Sequence, residues 1–229
     1  MSHYFLDHPV WMSLIGPHAS FAIRKGDVAR YRKDVTPFVA LAPTPTDWET
    51  DLVELVDVSE EVVLMDNRSH IDLRAFCCTK IMMIDQMIYS EKIIEVNTEG
   101  ITELGIKSSD EMMRLTADVF PGYFREKTVT MGRYAGIFDQ SQLVAMAGER
   151  LRPSPFHQEL SGICTHSNYR GRGYAEKLTA FIAFKALKEN RQPLLYVNSE
   201  NASAIRLYER LGFRKRTSLY IRRLKKLPT

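Results

Sequence analysis

The chain of 229 residues is poor in cysteine, and its three cysteines are not arranged for bridging: Cys77 and Cys78 are neighbours and Cys164 stands far downstream. A disulfide framework is therefore excluded. No CxxC or HxxxH spacing occurs among the cysteines and the six histidines, so no metal site is expected. No stretch approaches about 18 uninterrupted apolar residues, and no membrane span is expected. The opening MSHYFLDHPVW lacks the basic-then-apolar layout of a signal peptide, which points to the cytoplasm. Repeats and low-complexity blocks are missing too.

What the chain has is ample apolar material, 45% of residues, with 26% charged. That suits one large soluble domain or two small ones. Its charge is uneven. The last sixteen residues, RKRTSLYIRRLKKLPT, carry seven Lys/Arg and no acid; taking these seven from the net +3 leaves −4 for the rest. Two readings of this tail are open: a solvated terminal strand, or a contact with nucleic acid or an anionic cofactor.

Hydrophobic periodicity and breakers give a mixed α/β (α+β) order. In the front half, HPVWMSLIG reads as a helix and FAIRKGDVARYR as a hairpin. PFVALA is a strand, DWETDLVELV a helix with Thr46 or Asp47 as cap, and EEVVLMD and KIMMIDQMIY are strands. The polar VNTEG at 96–100 is the best linker, dividing the chain into 1–97 and 98–229. Beyond it come a strand (ITELGI), a serine-capped helix (SSDEMMRLTADVF), a second short helix after the Pro-Gly break in FPGYFREKTVTMG, a hairpin (RYAGIFD, QLVAMAGERL) and a strand (HQELSGICT). A helix ending near Asn190, the strand LLYVN, a helix capped by Asn201 and a last strand complete the order.

The helix that ends near Asn190 is introduced by NYRGRGYAEKL, residues 168–178. The first N–H groups of a helix have no internal partner, and its dipole adds positive potential there. Glycine permits positive φ and removes the Cβ that would hold a ligand away. Arg170 and Arg172 add donors suited to phosphate oxygens, so the stretch reads as an anion nest. A plain glycine-containing strand-to-helix turn is the alternative. GxxxxGK[ST] and GxGxxG are both absent, which disfavours a nucleotide P-loop and a dinucleotide fold. A single, well-framed RGRG is also unlike the repeated disordered segments that bind RNA.

Arg170-Gly171-Arg172-Gly173-Tyr174-Ala175 resembles the Q/R-x-x-G-x-G/A signature of the GNAT superfamily of acetyl-CoA-dependent N-acetyltransferases. ELSGICTH lies just upstream of it and LYVNSENASAIRLYERLGF downstream, in the order that superfamily shows. The likeness is nearest to the FR47-like branch and covers roughly residues 98–226. It implies a GNAT fold with a mixed, largely antiparallel central sheet. It implies acetyl-CoA as donor, its pyrophosphate on the amides of Arg170 through Ala175 and its pantetheine arm along Ile163, Cys164 and Thr165, with Asn201 facing it.

The same likeness implies Glu159 as the base that frees the amine and Tyr208 as the acid that protonates the leaving thiolate. Glu149 is the rival base. Core packing is the competing role for Tyr208 and an edge carboxylate for Glu159. Simple alternation would put Glu159 on one face with Ser161, Ile163 and Thr165. Cys164 and His166 share the other face, but a nucleophilic cysteine is disfavoured against a buried free one. Phe120, Tyr123 and Phe124 are candidates for the acceptor site or for the core.

The front half echoes the second half without its first strand, with LAPTPTDWE where the anion loop would stand. Proline removes donors and Asp47 repels phosphate, so this half is expected not to bind CoA. It reads as a degenerate GNAT-like half shaping the acceptor cleft, or as an unrelated α+β cap. The expected activity is N-acetylation of a small-molecule or amino-acid amine. The alternatives are a lysine or N-terminal protein acetyltransferase and a non-catalytic CoA-binding or nucleic-acid-binding protein. The wide apolar arc of the helix after Gly173 suggests burial by both the sheet and the front half.

Overall fold

The structure is a computed structural model that describes residues 4–90 and 96–228. Two short helices, α1 (Tyr4–Asp7) and α2 (Pro9–Ile15, with Pro9 in its first turn), precede the hairpin β1 (Ala22–Lys25) and β2 (Val28–Tyr31). Then follow β3 (Phe38–Leu41), α3 (Trp48–Leu55), β4 (Glu61–Asp66) and the long β5 (Phe76–Tyr89). The second half runs β6 (Thr102–Leu104), α4 (Ser109–Ala117), the hairpin β7 (Tyr134–Asp139) and β8 (Gln142–Glu149), and β9 (His157–Thr165). It closes with α5 (Tyr174–Lys188), β10 (Gln192–Asn198), α6 (Ala202–Arg210) and β11 (Phe213–Lys226).

The described strands form one sheet in the order β1-β2-β3-β4-β11-β5-β10-β9-β8-β7-β6. Only β3–β4 and β9–β10 are parallel; every other pairing is antiparallel. Each parallel pair is joined through a helix, α3 in the front half and α5 in the second, as parallel crossovers require. At the centre, β5 and β11 are both 14 residues long and pair from Phe213 opposite Tyr89 to Lys226 opposite Phe76. The register slips twice, once at Arg216 and once at Thr79, each the fourth residue of its strand. Beyond this pair, β5 continues onto β10 and β11 onto β4. The last strand of each half therefore completes the sheet of the other, and the sheet is continuous across residue 97.

This exchange explains the basic tail. The tail is no solvated terminal strand: β11 is central, flanked by β4 and β5. Its cations meet front-half acids, Lys215 with Asp85 (2.8 Å), Arg216 with Asp7 (2.5 Å), Arg222 with Asp66 (2.9 Å) and Arg223 with Glu61 (2.5 Å). Lys226 donates to the carbonyls of Val53 and Val56 at the C-terminal end of α3, where the helix dipole favours a cation. Arg222 and Asp66 are both buried, so removing one partner alone is expected to cost about 3–5 kcal/mol.

One face of the sheet carries α5 and α6 over Met87, Leu195, Val197 and Phe213, with α3 over Val39 and Leu64. The other carries α2 over Tyr31, Phe38 and Ile84, and α4 over Tyr134, Met146 and Cys164. Two local expectations are corrected and a third holds. Neither serine at the start of α4 caps it through its side chain, because Ser109 Oγ donates instead to the Glu126 carbonyl (2.6 Å). The expected second helix after the Pro-Gly break is only the 3-10 turn at 128–131. The wide apolar arc of α5 packs on the sheet, to which the front half contributes Met87 and Tyr89 as expected, while Lys185 lies over Phe181 (5.1 Å) and Lys188 over Phe184 (5.3 Å) at its outer edge.

Candidate active site

The mouth of α5 is built as the sequence suggests. His166 Nδ1 accepts from the amide of Asn168 (3.3 Å) and starts a short 3-10 turn, after which Arg170 is extended. Gly171 and Gly173 take φ of 78° and 76°, a left-handed conformation that costs an L-residue about 1–2 kcal/mol. A Cβ at either glycine would meet no atom within 4 Å. Their need is thus conformational, and the space over them is open. No side chain caps α5. Arg172 lies over the Tyr169 ring (4.7 Å), whose hydroxyl donates to Asp139 (2.8 Å). Arg170 through Gly173 are exposed, with Tyr174 and Ala175 half-buried behind them.

Beside this loop the sheet opens. β9 and β10 pair only as far as Leu160 and Leu195, although the strands run on to Thr165 and Asn198. Residues 161–165 are left without a strand partner on the β10 side. Gly162, with φ 64°, makes the bulge: the register against β8 slips between Gly148–Ser161 and Met146–Cys164. The slip breaks the expected alternation. Ile163 packs toward the α5 core while Cys164 turns to the α4 side, so Ile163 does not share a face with Glu159.

Ile163, Cys164 and Thr165 line the open edge, and Thr165 Oγ1 is buried without a hydrogen-bond partner among the described residues. Tyr208 of α6 lies in the core beneath the opening. Burial, then the nearby Cys164 thiol, pushes its phenol up to about 12. Asn201, at the end of β10, caps α6 by accepting from Ala204 N (3.1 Å). A donor-lined anion nest, an unpaired strand edge, an orphaned hydroxyl and a protonated phenol together fit the diphosphate, amide-bearing arm and thioester of an acyl-CoA.

On the opposite face Glu159 is buried at 1% exposure and held by Arg150, whose Nη2 and Nε lie 2.8 and 3.3 Å from its two oxygens; Leu151 N–H adds a third bond (2.8 Å). Arg150 in turn stacks on Phe38 of the front half (4.7 Å). Around the pair stand two buried tyrosines and a half-buried one. Tyr31 bonds His18 Nδ1 (2.9 Å), Tyr196 accepts from Gln86 (2.9 Å), and the Tyr134 hydroxyl has no partner among the described residues. Burial raises all three phenols well above their ordinary range, and the charge of Glu159 adds to it. Glu149 faces elsewhere. It bonds the amide of Arg133 (3.0 Å) and lies 3.5 Å from the guanidinium of Arg191, near the C-terminal end of α5.

Tyr123 tilts against Phe38 (6.2 Å) beneath Arg223, Phe124 meets the edge of Tyr134 (5.6 Å), and Phe120 packs in the same cluster as Phe124. Their segment is fixed to the front half by Lys127, whose amide donates to the Asp34 carbonyl (2.8 Å) and whose ammonium pairs with the Asp34 carboxylate (2.6 Å). His18, Tyr31, Tyr134, Arg150 and Tyr196 were not foreseeable from the motifs. The first two lie in the front half, outside the resemblance, and the rest become neighbours only through strand pairing.

Burial, and next the charge of Arg152, lower His18 to about 4. Above the ordinary value of 6.5 both folded and unfolded chains hold it neutral. Below that value the unfolded chain takes the proton first, so stability falls as pH drops toward 4. One such group is worth about 2 kcal/mol between pH 7 and pH 5. Urea titrations of His18→Gln are expected to show a correspondingly shallower loss over that interval.

A family model described as FR47-like protein matches residues 134–221, from β7 into β11. No curated protein matches the chain. A GNAT-family protein from Novosphingobium aromaticivorans DSM 12444 is similar at 33% identity over 98% of this chain and 99% of that one, with a TM-score of 0.91. A GCN5-related N-acetyltransferase from Kribbella flavida (15% identity, 96% and 95% covered, TM-score 0.63) shares the fold across both halves. So does a GCN5-related N-acetyltransferase-like protein from Streptococcus suis 89/1591 (14%, 97% and 96%, 0.56). The architecture is that of an acetyltransferase. The chain belongs to the GNAT family, with its FR47-like domain in the second half.

Proposed function

We propose that the protein moves an acetyl group from acetyl-CoA to the primary amine of a small molecule or amino acid by direct attack in a ternary complex. The observation that carries this reading is the opened β9–β10 pair beside the uncapped, glycine-led start of α5. The amides of Arg170 through Ala175 hold the diphosphate, and the free edge at Ile163, Cys164 and Thr165 holds the pantetheine arm. Acetyl-CoA supplies the activated thioester. The main chain after the Gly162 bulge, most directly the Ile163 amide, donates to the thioester oxygen as negative charge develops there. Glu159 takes the proton of the attacking nitrogen, and Tyr208, kept protonated by burial, gives one to the departing sulfur.

A covalent route through Cys164 has no support. Burial pushes its thiol up to about 12, whereas a nucleophilic cysteine needs thiolate character. Cys164→Ala is expected to keep the full turnover number, because only main-chain atoms of this residue serve; loss of turnover with acetyl-CoA binding intact would reinstate it.

Residues 1–97 read as a degenerate copy of 98–229. Both halves share the strand order, the helix-linked parallel pair and the long closing strand. Ahead of α3 the Asp27 carboxylate accepts from the amide (2.8 Å) and hydroxyl (3.0 Å) of Thr46, so a carboxylate of the chain itself stands where an anion would be needed. This half closes the acceptor side through Tyr31, Phe38 and Asp34. The ion pairs of β11 weigh against a nucleic-acid-binding role. Acetyl-CoA turnover against a panel of amines, amino acids and peptides, read as CoA release, tests the activity. Turnover of peptides alone would favour a protein acetyltransferase, and binding without turnover a sensor.

A further inference from the structure

Two residues beyond the arginine that clamps Glu159 stands another arginine with no such partner. Arg152 Nε is buried and unsatisfied, and among the described residues the guanidinium has no hydrogen bond, ion pair or ring contact. A partly desolvated cation without a counter-charge is costly, and a bound anion removes that cost. The nearby Arg150–Glu159 pair is already neutral and has no negative charge to spare.

The position of Arg152 is defined on two sides. Leu151, the residue before it, donates its N–H to Glu159 Oε2 (2.8 Å). On the other side, Leu151 packs in one core cluster with Tyr31, whose hydroxyl lies 2.9 Å from His18 Nδ1, and the charge of Arg152 helps to lower that imidazole. Arg152, His18, Tyr31 and Glu159 thus follow one another across the face where the halves meet. A second unsatisfied group belongs to the surroundings of Glu159. The Tyr134 hydroxyl, on a side chain only 1% exposed and in the same electrostatic neighbourhood as Arg150 and Glu159, also has no partner. An unsatisfied guanidinium one residue beyond the amide that binds Glu159 leaves a donor for an anion, and the carboxylate itself an acceptor for an ammonium.

We propose that the acceptor is a carboxylate-bearing amine, a free amino acid or close analogue, whose carboxylate is taken by Arg152 while its nitrogen is directed toward Glu159. The planar guanidinium fork matches a carboxylate better than a lysine would. The Tyr134 hydroxyl donates to the same molecule, and neutral His18 adds no competing charge. This rests on the acetyl-transfer reading and narrows it, because an amine without an adjacent carboxylate, such as a lysine side chain in a peptide, would leave Arg152 unsatisfied.

The test uses the full chain and matched acceptor sets at saturating acetyl-CoA. Each set is a free L-amino acid, its amide and its decarboxylated amine, for phenylalanine, methionine and lysine. The readout is CoA release, split into KM and kcat, with acetyl-CoA affinity measured by calorimetry on the same preparations. In the wild type at least one free acid is expected to exceed its amide and amine by about 100-fold in kcat/KM, mostly through KM. Arg152→Gln is expected to abolish that preference without changing acetyl-CoA affinity, and Arg152→Lys to restore part of it. An equal preference in wild type and Arg152→Gln, no preference in the wild type, or no turnover of any set while acetyl-CoA binds would each overturn this proposal alone. Failure to bind acetyl-CoA would remove the acetyl-transfer reading and this one with it.

Discussion

Gly173→Val is expected to weaken acetyl-CoA binding by about 100-fold, measured by calorimetry or as KM, while the chain stays folded. At φ 76° a β-branched residue is strained in the left-handed region, and relaxing it turns the following amides of α5 away from a common focus. The fold has room for the new side chain, since a Cβ there meets no protein atom within 4 Å. The damage therefore falls on the ligand. Removal of two or three convergent charge-assisted hydrogen bonds accounts for a loss of this size. Thermal unfolding provides the control, and its midpoint is expected to fall by only a few degrees, as about 1–2 kcal/mol of local strain implies. An unchanged KM for acetyl-CoA would remove the loop from the site.

The second large effect is expected at Glu159. Glu159→Gln keeps the shape and an oxygen to accept from Leu151 N–H, but it loses the charge and the capacity to take a proton. The turnover number is expected to fall by about 10²- to 10⁴-fold, with acetyl-CoA affinity unchanged. The same change leaves Arg150 unpaired in a buried place, and a stability loss of about 3–5 kcal/mol accompanies it. Arg150→Met separates the two effects. It breaks the same ion pair and carries a like loss of stability, yet leaves the carboxylate present, so its turnover is expected to fall much less than that of Glu159→Gln. If both variants lose turnover equally, Glu159 acts through the ion pair rather than as a base.

How far such residues can be read from sequence depends on the range of the forces that place them. The loop at Arg170–Ala175, the cap at Asn201 and the hairpins at 22–31 and 134–149 are set by local backbone preferences, and each stands where the residues suggest. The central place of β11 is not local. A strand with seven cations in its neighbourhood looks solvated until its partners are known, and those partners are acids about 130 to 210 residues away in the chain, at Asp7, Glu61, Asp66 and Asp85. Burial of such a strand is favourable only because those acids arrive with β4, β5 and α1. A related shortfall occurs at Ile163. Alternation is a rule for regular strands, and one glycine at positive φ shifts every later side chain to the other face.

The surroundings of Glu159 were the least legible, for a topological reason. Tyr31 and Phe38 come from strands of the front half, and their nearness to Arg150 and Glu159 follows from the exchange of β5 and β11 between halves. Neither composition nor spacing signals such an exchange. In retrospect the equal length and matched bulges of the two closing strands are its clearest sign, and they are visible only in the paired sheet. The motif-bearing half could be assigned alone; the cleft it shares could not.

The central claim is that main-chain donors at the start of α5 grip the diphosphate of a coenzyme. Calorimetric titration of the wild-type chain with acetyl-CoA, set beside S-acetylpantetheine, which lacks the diphosphate, tests it most directly. The account predicts saturable binding of acetyl-CoA and at least about 100-fold weaker binding of the truncated thioester. Equal affinity for the two, or no heat with either from a chain that melts cooperatively, would contradict it.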